Sequence, residues 1–353
     1  MLVQTAQIEG TTRSQYDGLL ASGWFRGTGV LYRSELVCID EQVFAVQHIR
    51  LPLHGFSPNK KQRKILRTND GMFRCTIGTP SCDNRKEELY QGHIKKFKAF
   101  VHHTLNDMIN GPRYDAEIET RELCVYHGDE LVAVSYFDIG ENSMASILCL
   151  YDRSYSKFSL GHYTMLKEME FAMSESLEYY YPGYVLDMPS SFDYKLTIGK
   201  CEWLSNDRNW YPQDSFIRPI SQGDIIRGKM AELRVRLTIL GYDIQYHIYP
   251  YFTIGQVMVD RGDLVSLPCF FSFYAHNMLV AASYDPVLSM FVVFDIQEAD
   301  DLEFTQHLEL SDDYRENAIY ELRVLKTNFY TSLYKFQAGT ASIFQQKEDE
   351  QYA

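Results

Sequence analysis

The 353-residue sequence lacks several short patterns that assign chemistry directly. It has seven widely spaced cysteines but no C-x-x-C pair, so a structural zinc site of the usual spacing is not expected. It has no H-E-x-x-H, the common helical metal pattern, and no G-x-S-x-G, the nucleophile turn of many serine hydrolases. We therefore expect free thiols and no bound metal.

Long apolar runs are also missing. No run approaches the roughly 18 residues of a membrane span. The first ten residues, MLVQTAQIEG, have neither the charged n-region nor the apolar h-region of a secretory signal. The expectation is a cytoplasmic protein that does not contact a membrane, and a reducing compartment agrees with free thiols.

Positive charge is scarce overall but concentrated in one segment. The chain carries 34 Lys+Arg against 47 Asp+Glu, a formal charge of −13, which disfavours a general nucleic-acid binder. Residues 56–100, however, hold eleven Lys/Arg against four acids, a net +7 that leaves −20 for the remainder. A polyanion would therefore be directed to this segment and repelled from other faces.

The basic segment begins with a predicted helix over residues 56–69. Lys60 and Lys64 are four residues apart, as are Arg63 and Arg67, so a helix places them in two adjacent cationic rows. The local charge balance favours a contact with phosphates. A solvated helix face is the alternative that the pattern leaves open.

The middle of the chain predicts an α/β arrangement. Residues 131–140 and 144–152 read as strands joined by a short turn, and residues 159–181 begin a helix with apolar positions three and four apart. Tyr179–Leu186 then reads as a strand. A right-handed crossover would set this strand parallel to the one before the helix.

The C-terminal part has a different pattern. An amphipathic helix over residues 223–243 precedes four strand-like runs, which predicts a mostly β domain. Four parts are expected along the chain: an N-terminal region with the basic helical segment (1–125), an α/β core (126–212), a mostly β domain (213–345) and a polar tail (346–353).

Two places in the core suggest chemistry. SLGHY lies where a helix begins, and Ser159 and Gly161 there favour an anion near free backbone N–H groups. Asp152 ends a strand, at an edge where α/β proteins often place functional residues. A glycine needed only for packing and a turn aspartate are the open alternatives.

Further polar residues lie close by in sequence. Glu170 is mid-helix, with an exposed helix position as its alternative. Tyr194 and Lys195 follow the predicted strand after a short turn, with an ordinary loop as theirs.

Five stretches occur in an order that resembles a known family. They are GWFRGTGVLYR (23–33), FSPNKKQRKILRTN (56–69), ELYQGHIKKFK (88–98), GDELVAVSYFDIGENSMASILCLYDRSYSKFSLGHYTMLKEMEFA (128–172) and YYYPGYVLDMPSSFDYK (179–195). This ordered set resembles the arginyl/leucyl-tRNA–protein transferases, which attach an amino acid from aminoacyl-tRNA to protein N-termini. The resemblance covers somewhat over half of the chain, and residues 213–353 match nothing in the family.

The resemblance implies an acetyltransferase-like mixed sheet with helices. It also implies transfer of arginine or leucine to proteins with acidic N-terminal residues, which are thereby marked for degradation. The implied partners are aminoacyl-tRNA and those proteins, and no cofactor is needed because the ester is already activated. The implied substrate-binding residues are Tyr32, Lys60, Arg63, Lys64, Arg67, Ser159, Gly161 and Tyr181. The implied catalytic residues are Asp152, Glu170, Tyr194 and Lys195.

The sequence departs from the family pattern at two points. The family's cysteine cluster is reduced to Cys38, so no cluster metal is expected. The family's C-P-K-M reads Pro189-Ser190-Ser191-Phe192, so Ser191 stands where the lysine would be. If that lysine serves binding or catalysis, this chain uses another group or has an altered activity.

Two rival functions stay open on sequence alone. One is an acetyltransferase-superfamily enzyme that uses an acyl-CoA, with its pyrophosphate at Ser159–Gly161. The other is a non-catalytic relative that binds tRNA or a degradation signal. The transferred amino acid, the role of residues 213–353 and the oligomeric state are open as well.

Overall fold

The computed structural model describes residues 2–27, 30–39, 42–95, 104–110, 117–215, 220–257, 262–298 and 325–338. The chain divides into two compact units. The N-terminal unit comprises residues 5–33 and 46–218, and the C-terminal unit comprises residues 1–4, 34–45 and 219–353.

The described part has helices and strands throughout. The strands are β1 Val3–Gln7, β2 Phe25–Arg26, β3 Val30–Ser34, β4 Leu36–Ile39, β5 Gln42–Pro52, β6 Arg74–Gly78, β7 Glu119–His127, β8 Glu130–Ile139, β9 Ser143–Tyr151, β10 Tyr179–Tyr181, β11 Tyr184–Leu186, β12 Glu202–Leu204, β13 Trp210–Pro212, β14 Gln245–Ile248, β15 Cys269–Ala275, β16 Met278–Asp285, β17 Met290–Asp295, β18 Gln297–Glu298, β19 Leu325–Lys326 and β20 Tyr330–Ser332. The helices are α1 Arg13–Ala21, α2 Lys60–Asp70, α3 Asn84–Ile94, α4 Leu105–Asn110, α5 Leu160–Ser174, α6 Gln222–Ile239 and α7 Phe252–Val257, with 3-10 turns at Arg153–Phe158, Asp193–Thr197 and Gln213–Ser215.

The large mixed sheet confirms the predicted fold class. Its strands lie in the order β13-β12-β5-β10-β9-β8-β7-β6. The pair β8 and β9 is an antiparallel hairpin, and β10, which follows α5, is parallel to β9 as expected. The predicted helix over 159–181 is shorter in the structure, because α5 ends at Ser174 and Leu177 already packs in the core.

Strands β9 and β10 separate after three residue pairs, Tyr179↔Ser143, Tyr180↔Met144 and Tyr181↔Ala145. Pro182 and Gly183 then interrupt the strand, and Gly183 has a φ of +95°, a conformation that glycine adopts freely. Strand β11 continues along β5 instead, with Tyr184 opposite His48. The second half of β9 therefore has no pairing with this strand, and we refer to the separation between β9 and β11 beside α5 as the cleft.

A buried ion pair ties the N-terminal segment to the sheet. The side chains of Arg26 and Asp138 are 1% and 0% exposed and approach to 3.3 Å. Asp138 also accepts hydrogen bonds from the Tyr16 and Thr120 hydroxyls, while Arg26 Nη2 donates to the Ile109 carbonyl at 2.9 Å. These additional hydrogen bonds offset part of the cost of burying the two charges.

The C-terminal unit is mostly β, as predicted. Its five-stranded sheet has the order β14-β15-β16-β17-β20, and α6 forms where residues 223–243 predict a helix. The strand-like run after residue 244 is divided, because β14 ends at Ile248 and the short helix α7 follows. In the N-terminal unit, α3 ends at Ile94, and residues 96–103 lie outside the described part.

No helix in the described residues is long and apolar enough to span a bilayer. Within the same residues, no group of three or more His, Cys, Asp or Glu side chains is placed to hold a metal ion.

Candidate active site

The cleft between β9 and β11 is bordered by the start of α5. Ser159 links a 3-10 turn to α5 and adopts a left-handed conformation with φ 53° and ψ 47°. Its side chain makes no capping hydrogen bond, whereas Thr12, Asn59 and Ser221 form capping boxes on α1, α2 and α6. The first N–H groups of α5 are thus not satisfied by a cap, which suits an anion there.

Gly161 lies in the first turn of α5, where the protein has left space. A Cβ atom at this position would meet only Tyr151 Cε1, at 4.0 Å. No neighbour among the described residues therefore requires a glycine here. Close approach of a ligand is a reason for glycine that the internal packing does not supply.

The basic helix α2 is held next to this turn by its polar inner face. Gln62 Nε2 donates to the carbonyls of Ile198 at 2.7 Å and Thr197 at 3.2 Å. Asn69 Nδ2 donates to the Phe158 carbonyl at 2.9 Å, immediately before Ser159. The sequence pattern predicted the helix, and its inner face of Gln62, Leu66 and Asn69 is buried.

The outer face of α2 is cationic and open. All five of its cations are exposed, and none forms an ion pair with another described residue; they are Lys60, Lys61, Arg63, Lys64 and Arg67. The pKa of His162, in the first turn of α5, is lowered by burial and then by the charge of Lys61. The positive field of α2 therefore reaches the start of α5.

Glu168 is fully buried on α5, facing the sheet. Its Oε2 accepts a hydrogen bond from the Tyr180 hydroxyl at 2.6 Å, while Oε1 has no hydrogen-bond partner of good geometry. Burial raises the pKa of this carboxyl to about 7, although the hydroxyls of Tyr180, Ser135 and Ser146 partly oppose the shift. A carboxyl that titrates near neutral pH is suited to accepting or donating a proton.

Lys195 is half-buried in an aromatic setting. Its ammonium lies 5.5 Å from the centroid of Tyr184 and 5.1 Å from that of Phe192, and Nζ donates to the Tyr184 carbonyl at 3.2 Å. No described acid pairs with it, and burial lowers its pKa to about 8. Gly183 makes room for it, since a Cβ there would lie 3.0 Å from Nζ.

Tyr194 connects these groups. Its ring lies edge-on to His162 at 5.3 Å, and His162 Nε2 contacts Thr197 Oγ1 at 3.1 Å. Burial raises the pKa of its hydroxyl to about 12, followed by the effects of Cys149, Glu168 and Tyr151. The charge of Glu168 therefore acts on the Tyr194 hydroxyl.

The structure brings some of the predicted site residues together. Ser159, Gly161, Tyr194 and Lys195 lie around the cleft with α2 beside them. Tyr32 lies near Tyr184, because the ring of Phe25 is 6.0 Å from that of Tyr32 and 5.5 Å from that of Tyr184.

Three other predicted residues are placed elsewhere. Asp152 caps the turn by accepting from Ser154 N at 3.0 Å and pairs with Arg85 at 2.8 Å. Glu170 lies at the surface, 2.5 Å from Lys167. Tyr181 is buried in a core cluster on the sheet face opposite Tyr180, with Tyr16 and Leu20.

Sequence reasoning missed Glu168 and Tyr180. A signal for Glu168 was present, because it is the one charged member of a row with Gly161, Thr164 and Ala172 at helical spacing. Tyr180 had no comparable signal within YYY, since alternate tyrosines of a strand face opposite sides.

Known proteins resemble the chain over the same region. Residues 82–205 match the family model described as "Arginine-tRNA-protein transferase, C terminus". The aspartate/glutamate leucyltransferase of Campylobacter jejuni serotype O:6 is 26% identical over 226 residues, covering 60% of this chain and 89% of that protein. Proteins of the same name from Leptospira interrogans and Vibrio cholerae are each 24% identical, covering 55% and 56% of this chain and 77% and 83% of their own lengths.

Similarity to solved structures is lower. The structure of L-PGS from Bacillus licheniformis has a TM-score of 0.31 and 11% identity, and covers 42% of this chain and 48% of that one. FemX has a TM-score of 0.33 and 9% identity, and covers 50% of this chain and 61% of its own.

The space around Gly161 leads to a stability prediction. Gly161→Ala should fold and gain up to about 1 kcal/mol, because alanine is the better helix former and its Cβ meets no close neighbour. Gly18→Ala in α1, where a Cβ also meets nothing within 4 Å, is the matched control. Urea unfolding measures both, and a clear destabilisation of Gly161→Ala alone would mean that this glycine serves the fold.

Proposed function

We propose that the chain is a member of the arginyl/leucyl-tRNA–protein transferase family, whose model matches residues 82–205, and that it transfers an amino acid from aminoacyl-tRNA to the N-termini of proteins. The matched relatives are named aspartate/glutamate leucyltransferases, so we take leucyl-tRNA as the donor and N-terminal Asp or Glu as the acceptor. Such a transfer in the cytoplasm would mark its acceptors for degradation.

One observation supports this proposal most directly. The unpaired cationic face of α2 is hydrogen-bonded into place beside the uncapped start of α5. Phosphates of the acceptor stem would lie on Lys60, Arg63, Lys64 and Arg67, and the 3′ end would approach Ser159 and Gly161. In this arrangement the exposed cations supply affinity for tRNA, and the backbone N–H groups position its 3′ end.

The reaction itself asks for little covalent chemistry. An amide bond forms between the acceptor nitrogen and the aminoacyl carbonyl carbon, and the ester bond to the ribose oxygen breaks. The attacking amine loses one proton and the departing oxygen gains one. An α-amine has a pKa of about 7.7–8.0, so much of it is neutral near pH 7, and positioning supplies much of the acceleration.

Glu168 is the proton acceptor in this scheme. Its Oε1 has no partner of good hydrogen-bond geometry among the described residues, so this oxygen is available while Tyr180 donates to the other. Tyr194, whose pKa is raised by burial and then by Cys149 and Glu168, is the group that we propose to relay the proton between the cleft and Glu168. We assign Asp152 and Glu170, which have surface partners, to structure.

Lys195 binds the acidic side chain of the acceptor in this proposal. A half-buried ammonium without an acidic partner is costly unless an anion completes the site. Ser191 replaces the family's lysine, yet the ammonium of Lys195 contacts Phe192 in the same loop, so the loop still presents a cation.

The main experiment is transfer of labelled leucine or arginine from charged tRNA to a peptide that begins with Asp. We expect transfer from leucyl-tRNA. Arg63→Glu/Arg67→Glu should raise KM for tRNA by about tenfold or more and reduce the salt dependence, because two phosphate contacts are lost. The matched control reverses two exposed arginines of α6, Arg234→Glu/Arg236→Glu, and should transfer normally.

Each outcome of this experiment is informative. Transfer from neither tRNA, together with tight binding of an acyl-CoA, would replace the proposal by the acyl-CoA alternative. Transfer from arginyl-tRNA alone would correct the donor. Equal loss in the α2 and α6 variants would show that α2 is not the tRNA site.

Glu168→Gln tests the proton acceptor. In the unchanged protein, kcat/KM should rise through two ionisations, that of Glu168 near pH 7 and that of the amine near pH 8. The variant should keep only the amine step and lose about 100-fold in rate. Because burial raises this pKa, ionisation opposes folding as pH rises through 7, so the variant should be at least as stable at pH 8.

Glu170→Gln distinguishes the two carboxyls of α5. If Glu170→Gln removed the step near pH 7 and Glu168→Gln kept it, Glu170 and not Glu168 would be the proton acceptor.

Lys195→Met separates function from stability. The variant should lose the preference for Asp-peptides over Asn-peptides, by about tenfold, because one charge contact disappears. It should also be more stable, by about 1–2 kcal/mol at pH 7. The folded pKa of about 8 lies below the usual 10.5, so this advantage should shrink as pH rises between the two values.

Peptide competition and urea unfolding at several pH values measure these effects. A destabilised variant with an unchanged preference for Asp would assign Lys195 to packing.

A further inference from the structure

The half of β9 that follows Ala145 has no strand partner on its β10 side among the described residues. Ser143, Met144 and Ala145, which pair with β10, are buried, whereas Ser146 to Cys149 are only half-buried. Strand β9 lies in the middle of the large sheet, where a strand normally has neighbours on both sides. Its second half is therefore an edge within the sheet, and the backbone of such an edge can pair with a further strand.

The pairing of β9 with β8 determines which backbone groups point to this edge. Directly opposite residues of an antiparallel pair alternate between those that exchange backbone hydrogen bonds and those that do not. The Asp152 N–H donates to the Val132 carbonyl at 2.9 Å, so Asp152 is at a hydrogen-bonded position. Leu150, two residues earlier in the same register, is at another, and Cys149 is not. The N–H and C=O of Cys149 consequently point away from β8, and neither β10 nor β11 pairs with this residue.

The surroundings of Cys149 belong to the proposed active site. Its Sγ contacts Thr164 Oγ1 of α5 at 3.2 Å. Burial raises the pKa of the Tyr194 hydroxyl, and Cys149 adds to that shift. On the β11 side of the cleft, the ammonium of Lys195 donates to the Tyr184 carbonyl. The edge of β9 is thus close to the group that relays the proton, and the opposite border of the cleft carries a cation.

An extended polypeptide is the partner that this edge fits. It presents N–H and C=O groups at the spacing of a strand, which the phosphates and riboses of tRNA do not. The cation of Lys195 matches an acidic first residue. Because the body of an acceptor protein has to remain outside the cleft, its chain leaves in the direction away from β10. Its N-terminus then points toward β10, and the segment runs parallel to β9.

We propose that the N-terminal segment of the acceptor binds as an added strand parallel to β9, hydrogen-bonded to the N–H and C=O of Cys149. The inference rests on the proposed function for the identity of this peptide. In a strand, successive N–H groups point to opposite sides, so only alternate N–H groups of the acceptor face β9. Backbone pairing supplies affinity without a requirement for particular side chains after the first residue.

The test is an N-methylation scan of an acceptor peptide that begins with Asp, with binding measured by calorimetry in the presence of deacylated tRNA. Methyl groups placed in turn on the amides of positions two to five should weaken binding by roughly three- to tenfold at alternate positions, the loss expected for one hydrogen bond. The positions between them are the matched controls, because the added bulk is the same. No loss at any position, or the same loss at every position, would overturn the proposal.

Cys149→Pro tests the protein's side of the same contact. Proline removes an N–H that takes no part in the pairing with β8, so the variant should weaken the unmethylated peptide by a similar factor. Urea unfolding checks its fold, and the scan on the unchanged protein decides the question if the variant does not fold. Alternating losses in binding without any transfer would contradict the proposed function alone. Transfer to a peptide whose binding shows no alternation would contradict the added strand alone.

Discussion

The arrangement of the N-terminal unit depends on the separation of two parallel strands. Strands β9 and β10 share three residue pairs, after which β11 keeps its hydrogen bonds with β5 and leaves β9. Continued pairing between β9 and β11 would close the sheet where the cleft lies. Pro182, which has no N–H to donate, and Gly183, in a left-handed conformation, make the interruption favourable locally.

The charged residues near the cleft differ in their exposure to water. The cations of α2 are exposed, as expected of groups that attract a large polyanion over a distance. Glu168 is instead fully buried and Lys195 half-buried, and burial shifts their pKa values toward neutrality from opposite sides. Such groups lower the free energy of unfolding. Two of them at one cleft are typical of sites where chemistry or recognition takes place.

Local patterns predicted much of this structure. The hairpin β8–β9, the face of α5 and the basic helix α2 follow from the spacing of apolar and charged residues. The separation of β9 from β11 did not, because it depends on pairing with β5, more than a hundred residues earlier in the chain. The sequence pointed to Glu170 and not to Glu168 for a similar reason, since the sheet that buries Glu168 is assembled from distant strands. Lys195 was found in sequence, but its aromatic surroundings depend on the conformation of Gly183.

Gln62 links the parts of the protein that we assign to the two substrates. It lies on the buried face of α2, whose other face presents cations to tRNA. Its side-chain amide donates to backbone carbonyls at the end of the turn that carries Tyr194 and Lys195. A displacement of α2 when tRNA binds would therefore also move the turn that we assign to the acceptor. We expect tRNA and the acceptor to bind in a preferred order, with bound tRNA fixing the geometry of the acceptor site.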